Sequence, residues 1–263
     1  MTQTIPVSVV IPCFRCADTI ERALSSVMLQ SALPAEVLLI DDASKDGTLA
    51  LLHELSKRHG LIVRVISMPV NVGPGLARNA GWAIATQPWL AFLDADDLWH
   101  PQKLELQWSW LQTHPEVSLC GHSTQLMCVD VDGPAPHTFS ATRLTLTHML
   151  ISNRLPTRSV MLRKDIVMRF ADKRVTEDYL LWLEAIANGY IAYRLDVCLA
   201  FSIRPDFSPG GYSGQLWAHE KRELAALDCL ASKVRLRPGL VLLASIWSII
   251  KFMRRYARTL WKK

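Results

Sequence analysis

The sequence predicts an α/β protein: a mostly parallel central sheet with helices on both faces, followed by a C-terminal helical segment. Three observations carry this reading. Continuous apolar, β-branched runs of strand length recur at 7–11, 36–40, 62–66 and 89–93, as expected for strands covered on both faces. Stretches with helical spacing of apolar residues separate them. The joining loops are short, which favours strand–helix–strand units over hairpins.

Taken in order, VSVVI (7–11) is the first strand. The stretch DTIERALSSVML follows, where Asp18 is placed to cap and Glu21 completes a capping-box-like start. Ile20, Ala23, Leu24, Val27 and Met28 share one face of that helix. EVLLI (36–40) is the second strand, and DDASKDGT leads into a helix through about residue 58 with Leu49, Leu52 and Leu55 inward. IVRVI (62–66) is the third strand. NVGPG then opens a helix carrying Leu76, Ala80, Ala83 and Ile84, and WLAFL is the fourth strand. Beyond residue 114 the pattern loosens: 117–129 and 158–163 read as strands separated by the polar loop PAPHTFSATR. VTEDYLLWLEAIANG reads as a helix with a C-capping glycine. RPDFSPGGYSG is too rich in Gly, Pro and Ser for regular structure and is a candidate lid or acceptor loop.

With 263 residues, 50% hydrophobic and 20% charged, the chain is globular rather than disordered. We divide it into a main unit, 1–230, with halves 1–114 and 115–230, and a tail, 231–263. Six cysteines are scattered through apolar segments, and the N-terminus lacks the basic and apolar regions of a signal peptide, so the expected setting is reduced cytosol. Cys13 and Cys16 form a CxxC, but no second pair has zinc-site spacing, and small buried residues beside a strand end is the preferred reading. The net charge of +5 does not imply nucleic acid, because much of the basic charge lies in the last thirty residues.

The chemistry-bearing feature is WLAFLDADDLW, an apolar strand ending in Asp94, Asp96 and Asp97. Carboxylates packed this closely raise one another's pKa unless a cation or a hydrogen-bonding ligand sits among them. A solvated acidic turn is the plain alternative. Asp41 and Asp42 of the DDAS turn follow another strand, so topology places both acid groups at one sheet edge, where open α/β sheets bind ligands. Arg78, one turn into the helix opened by NVGPG, either brings positive charge toward an anion there or is an ordinary surface arginine. Glu177 and Asp178 are either functional or simply helix-start acids favoured by the helix dipole.

Taken together, VSVVIPCF, LLIDDASKDGT, NVGPGLARNAG, AFLDADDLW and TEDYLLWL resemble, in the same order, the motifs of family 2 glycosyltransferases with the GT-A fold, over residues 7 to about 185. The resemblance implies an inverting transfer of one sugar from a nucleotide-diphosphate sugar, with a UDP-linked donor favoured. The acceptor would be a glycan, lipid-linked in some settings, of a bacterial envelope polysaccharide. It implies nucleotide contacts at Pro12, Phe14, Asp42, Arg78 and Asp94, with Asp42 accepting a hydrogen bond from the pyrimidine ring and Asp94 near the ribose. Asp96 and Asp97 are the implied contacts of a divalent metal, Mn2+ or Mg2+. Asp178 is the implied base, with Glu177 next in line. These assignments make chemical sense: a leaving diphosphate needs a hard cation, and an acceptor hydroxyl needs a carboxylate to take its proton.

Two features depart from family patterns. The Q/RxxRW motif of processive synthases is absent after Glu177–Asp178, which favours transfer of a single sugar. No histidine occurs in SIRPDFSPGGYSG, so the third metal ligand is unassigned.

In the tail, the uncharged stretch 239–250 is too short to cross a bilayer, which needs about 20 residues. On a helix, Leu243, Trp247, Ile250, Ala257 and Trp261 share a side, and Lys251, Arg255, Arg258 and Lys262 form a basic stripe. That pattern predicts an in-plane helix on an anionic membrane surface, hence a cytoplasmic protein peripheral to the inner face. A helix packed on the catalytic unit is the alternative. Two other functions are weighed: a phosphatase or phosphotransferase with a DxD nucleophile, whose aspartates would follow the first strand, and a non-catalytic nucleotide-sugar-binding or membrane-scaffold protein.

Overall fold

The computed structural model describes residues 3–126, 135–136, 138–203, 216–236 and 238–260. Four parallel strands form its first half: β1 (Gln3–Cys13), β2 (Ala32–Asp41), β3 (Val63–Ser67) and β4 (Trp89–Phe92), in the order β3-β2-β1-β4. The sheet continues from β4 through antiparallel β8 (Met161–Arg163) to β6 (Leu119–Leu126), β9 (Ala192–Ser202) and β5 (Asp97–Trp99), and β7 (Ala141–Leu144) also pairs with β9. Parallel pairing therefore dominates the half that carries the DDAS and DADD segments. The second half is mixed, because β6 and β9 run parallel while their other neighbours run antiparallel.

The continuous apolar runs are explained by burial on both faces. Val10, Leu38 and Ile40 enter one core with Trp82, Phe92 and Trp182, while Val9, Ile11 and Leu39 enter the other with Ile20, Leu24, Leu52 and Leu55. All six strand residues are fully buried, and each such side chain contributes about 1.5–3 kcal/mol on leaving water. The covering helices of the first half are α1 (Ile20–Met28), α2 (Thr48–His59), α3 (Pro74–Ile84) and α4 (Lys103–Gln112).

Several local expectations change. The N-cap of α1 is Thr19, without a side-chain cap bond, and Glu21 instead pairs with Arg58 of α2; Asp18 lies one residue too early to cap. In α2, Leu52 and Leu55 are buried but Leu49 is only partly so. The inward face of α3 is Gly75, Ala77, Arg78, Gly81 and Trp82, whereas Ala83 and Ile84 are exposed. Gly81 sets this rotation: a Cβ there would lie 2.5 Å from Val10 Cγ1, so its missing side chain lets the helix sit close on the sheet. Gly75 is equally tight, 2.6 Å from the Ala171 carbonyl and 2.8 Å from Glu177 Cγ on the same measure. It brings the start of α3 against the start of α6 (Glu177–Ala187).

α6 ends as expected: Gly189 has φ +90 and donates to Ile186 O while Tyr190 N reaches Ala185 O, closing the last turn. The remaining helices are α5 (Leu146–Ile151), α7 (Leu216–Lys233) and α8 (Pro238–Leu260). α8 packs on α7 and α5 rather than standing apart. The basic stripe does not face outward where it is described: Lys251 pairs with Glu223 at 2.9 Å and Arg255 with Glu220 at 3.0 Å. Both acids are buried, so these cations are recruited by the protein's own charge. Trp247 Nε1 donates to Ile151 O at 3.0 Å. The outward side is mostly apolar, with Leu242, Leu243, Ile246, Ile249, Ile250 and Met253 exposed, and Arg254 is its exposed cation. Trp261, Lys262 and the Arg258 side chain, like RPDFSPGGYSG from Arg204 onward and Cys128, lie outside what is described. Cys13, Cys16 and Cys120 are buried free thiols.

Candidate active site

The carboxyl ends of β1, β2 and β4 converge on one edge. Cys13 pairs in register with Asp41, and the Asp42 amide donates to Cys13 O at 2.8 Å. At the end of β1 Pro12 is partly buried, and just beyond it Phe14 is exposed, with the Arg15 guanidinium 5.2 Å from the Phe14 ring centroid. Arg15 (φ 49) and Ala43 (φ 57) both adopt left-handed backbone, and Arg15 N donates to Ser44 Oγ at 3.1 Å. Non-glycine residues in that region cost about 1–3 kcal/mol each, a strain typical of functional loops.

Asp42 is 2% exposed and holds the 71–73 loop. Its carboxylate accepts from Val72 N and Gly73 N at 2.8 Å each and from Asn71 Nδ2 at 2.9 Å. A carboxylate offers about four acceptor positions, so one remains for a ligand donor. Asp41 is buried with Oδ1 unpartnered.

At the end of β4, Asp94, Asp96 and Asp97 lead into β5. Asp97 N donates to Asp94 O at 3.0 Å, closing the turn. Asp97 is buried and its Oδ2 lies 3.0 Å from Arg158 Nη1. Even so its pKa is raised to about 7, first by burial and then by Asp94 and Asp96, against the pull of Arg158. This is the crowding of acid that the sequence suggested.

Arg78 is 5% exposed, and the anions it meets belong to the protein. Its guanidinium binds Asp94 Oδ1 and lies 3.7 Å from Glu177 Oε1, with the Phe170 ring 5.4 Å away. It thus ties the acid-bearing strand end to the start of α6. Glu177, also buried, has its pKa raised to about 7 by burial and by the adjacent Asp178, with Arg78 opposing. Asp178 is half-buried; its Oδ1 accepts from Tyr179 N at 2.6 Å and its Oδ2 from the Thr157 hydroxyl at 2.8 Å.

Thr157 and Arg158, one in contact with Asp178 and the other with Asp97, went unnoticed in the sequence because they lie in a short turn before β8 with no distinguishing pattern. His219 of α7 was missed for a similar reason. It falls just past the loop in which a histidine was sought, and both Glu223 and Asp178 act on its pKa, which burial lowers.

Asp94, Asp96 and Asp97 supply hard oxygen donors of the kind magnesium and manganese take. Among the described residues no group of three His, Cys, Asp or Glu side chains is arranged to hold an ion. Asp97 is engaged by Arg158, so a cation at this edge would draw on Asp96 and Asp97 together with oxygens of a bound ligand.

The family model for glycosyl transferase family 2 matches residues 8–170. The UDP-Glc:alpha-D-GlcNAc-diphosphoundecaprenol beta-1,3-glucosyltransferase WfgD of Escherichia coli is 28% identical over 189 residues, 71% of this chain and 72% of its own. Among solved structures, S. aureus TarS 1-349 in complex with UDP-GlcNAc superimposes with a TM-score of 0.71 at 19% identity, over 92% of this chain and 70% of that 1-349 chain. The mannosyltransferase PcManGT from Pyrobaculum calidifontis, in complex with GDP-Man and Mn2+, does so at 0.69 and 16%, over 97% and 75%. Motif order, the shared acidic edge and the family match agree: this chain is a member of glycosyl transferase family 2 with the GT-A fold.

Proposed function

We propose that the protein transfers one sugar, with inversion, from a UDP-linked donor to a lipid-linked glycan acceptor of a bacterial envelope polysaccharide. The observation that carries this is the Asp94–Arg78–Glu177 bridge, which joins the donor edge to the helix bearing Asp178. WfgD acts on a lipid-diphosphate-linked sugar and TarS was solved with a UDP-sugar, which support the choice of acceptor and donor.

In this reading Asp42 offers its remaining acceptor position to a pyrimidine N–H while it fixes the 71–73 loop. Asp94 faces the ribose and is oriented by Arg78. A divalent cation, Mn2+ or Mg2+, held by Asp96 would neutralise charge on the leaving diphosphate. Asp97, bound to Arg158, positions the turn that presents Asp96. Asp178 takes the proton of the acceptor hydroxyl as it attacks the anomeric carbon from the face opposite the diphosphate, and the Thr157 hydroxyl keeps its carboxylate aimed. Glu177, paired with Arg78, is a positioning residue.

The outward apolar side of α8 suits insertion into a membrane surface, which would hold the enzyme on the inner leaflet near its acceptor. No described helix is long and apolar enough to cross a membrane. Because Lys251 and Arg255 are engaged by Glu223 and Glu220, this contact rests more on apolar area than on charge.

Calorimetric titration with UDP tests the donor site. Binding in the presence of Mn2+ should weaken at least tenfold on chelation and similarly in D96N. Equal affinity with and without chelator would remove the metal from the account, and absence of any nucleotide binding would remove the transferase reading.

A further inference from the structure

A polar cavity of about 360 Å³ opens beside Pro156, the residue before Thr157, which binds Asp178. Ser123 and Thr124 of β6, Arg194 of β9, and Ser152, Asn153 and Arg154 of the link after α5 line it, with Pro156 at its edge. Its charge is unusual for this chain. Arg78, Arg158 and Arg255 each meet a carboxylate. Arg154 makes no hydrogen bond or ion pair among the described residues, and Arg194 donates to a neutral partner, Ser123 Oγ, at 2.9 Å. Among the described residues no carboxylate lines the cavity. His122, which also contributes to the wall, is fully buried and its pKa is pushed down to about 3 by burial and by neighbouring cations, so it stays neutral. Two guanidinium groups therefore set the charge of the described lining.

The pocket is coupled to the reaction site through one short stretch of chain. Arg154 and Pro156 line it, Thr157 binds Asp178, and Arg158 binds Asp97. A ligand seated here would lie on the base side of the site.

We propose that this cavity binds an anionic sugar of the acceptor, one bearing a phosphate or a carboxylate, with Arg154 and Arg194 on the charged group. Guanidinium forks match the oxygen geometry of both groups, and the surrounding hydroxyls and the Asn153 amide suit sugar hydroxyls. The inference rests on the glycosyltransferase reading, since it assigns the acceptor side of that site.

The test uses the full chain saturated with UDP and Mn2+, so that the donor site is filled, and titrates glucose 1-phosphate, glucuronic acid and glucose by calorimetry. At least one anionic sugar should bind tenfold or more tightly than glucose, and R154Q and R194Q should each weaken it by about 10- to 100-fold, the range for a charge-assisted hydrogen bond. UDP affinity should stay within about twofold of wild type in both variants, which also reports that they fold. Preference for glucose 1-phosphate assigns a phosphate, and preference for glucuronic acid a carboxylate. If neither anionic sugar exceeds glucose, if R154Q and R194Q bind it as wild type does, or if UDP affinity falls in parallel, the pocket is not an acceptor anion site. A wild-type chain that binds no UDP would instead overturn the transferase reading beneath it.

Discussion

Replacing Arg78 by methionine tests the bridge that holds the two halves of the site together. Arg78 and Glu177 have side chains only 6% and 8% exposed, while that of Asp94 is 29% exposed. Removing one partner of a buried ion pair typically costs about 3–5 kcal/mol, because the remaining charge is left uncompensated. Water reaches Asp94, so the low end applies and R78M should lose about 3 kcal/mol of unfolding free energy at pH 8. The loss should shrink at pH 5, where Glu177, no longer opposed by Arg78, is protonated and carries no charge to strand. The assay is urea unfolding of wild type, R78M, E177Q and the double variant. In the E177Q background R78M should cost at least about 1 kcal/mol less, since one of the stranded carboxylates is gone. A loss below about 1 kcal/mol, or additivity within about 0.5 kcal/mol, would refute the bridge.

Glu177 also sets a pH dependence. Its folded pKa of about 7 lies above the ordinary 4.5, so the folded state keeps a proton that the unfolded chain releases, and stability from this group falls as pH rises from about 4.5 to 7. The span amounts to about 3 kcal/mol, and urea unfolding of E177Q across that range should show a correspondingly flatter slope; an unchanged slope contradicts the shift. Deleting residues 237–263 strips Glu220 and Glu223 of Arg255 and Lys251 and uncovers the seat of α8, so the melting temperature should drop by about 5 °C or more, at roughly 2–4 °C per kcal/mol. An unchanged melting temperature would mean that α8 is not part of the folded unit.

The fold of the first half was legible because its signals are local and repeated. Strands buried on both faces read as unbroken apolar runs at 9–11 and 38–40, and the acids that follow β2 and β4 shared one edge by topology alone. What could not be read depends on rotation and partner choice. The face of α3 is set by the close approach of Gly81 to Val10 and by the bulk of Trp82, neither of which periodicity weighs. The basic residues of α8 fitted a membrane stripe equally well as a set of partners for buried acids, and only the position of Glu220 and Glu223 on α7 decides between them. Arg78 was recognised as a cation at the site, but whether it meets a ligand or Asp94 and Glu177 is a matter of tertiary distance. Thr157 and Arg158 had no signal at all, since a turn residue acquires its role from what folds over it.

The central claim is that Asp178 removes the proton of the acceptor hydroxyl at a site where the nucleotide is bound by other residues. D178N preserves the shape of the side chain, with its amide oxygen able to accept from Tyr179 N and its NH2 able to donate to the Thr157 hydroxyl oxygen, but it cannot take up a proton. The decisive measurement compares transfer rate and UDP affinity in wild type and D178N, with the sugar donor that wild type turns over. The rate should fall by about 10² or more while UDP binds within about twofold of wild type. Retained turnover in D178N would place the base elsewhere and contradict the account.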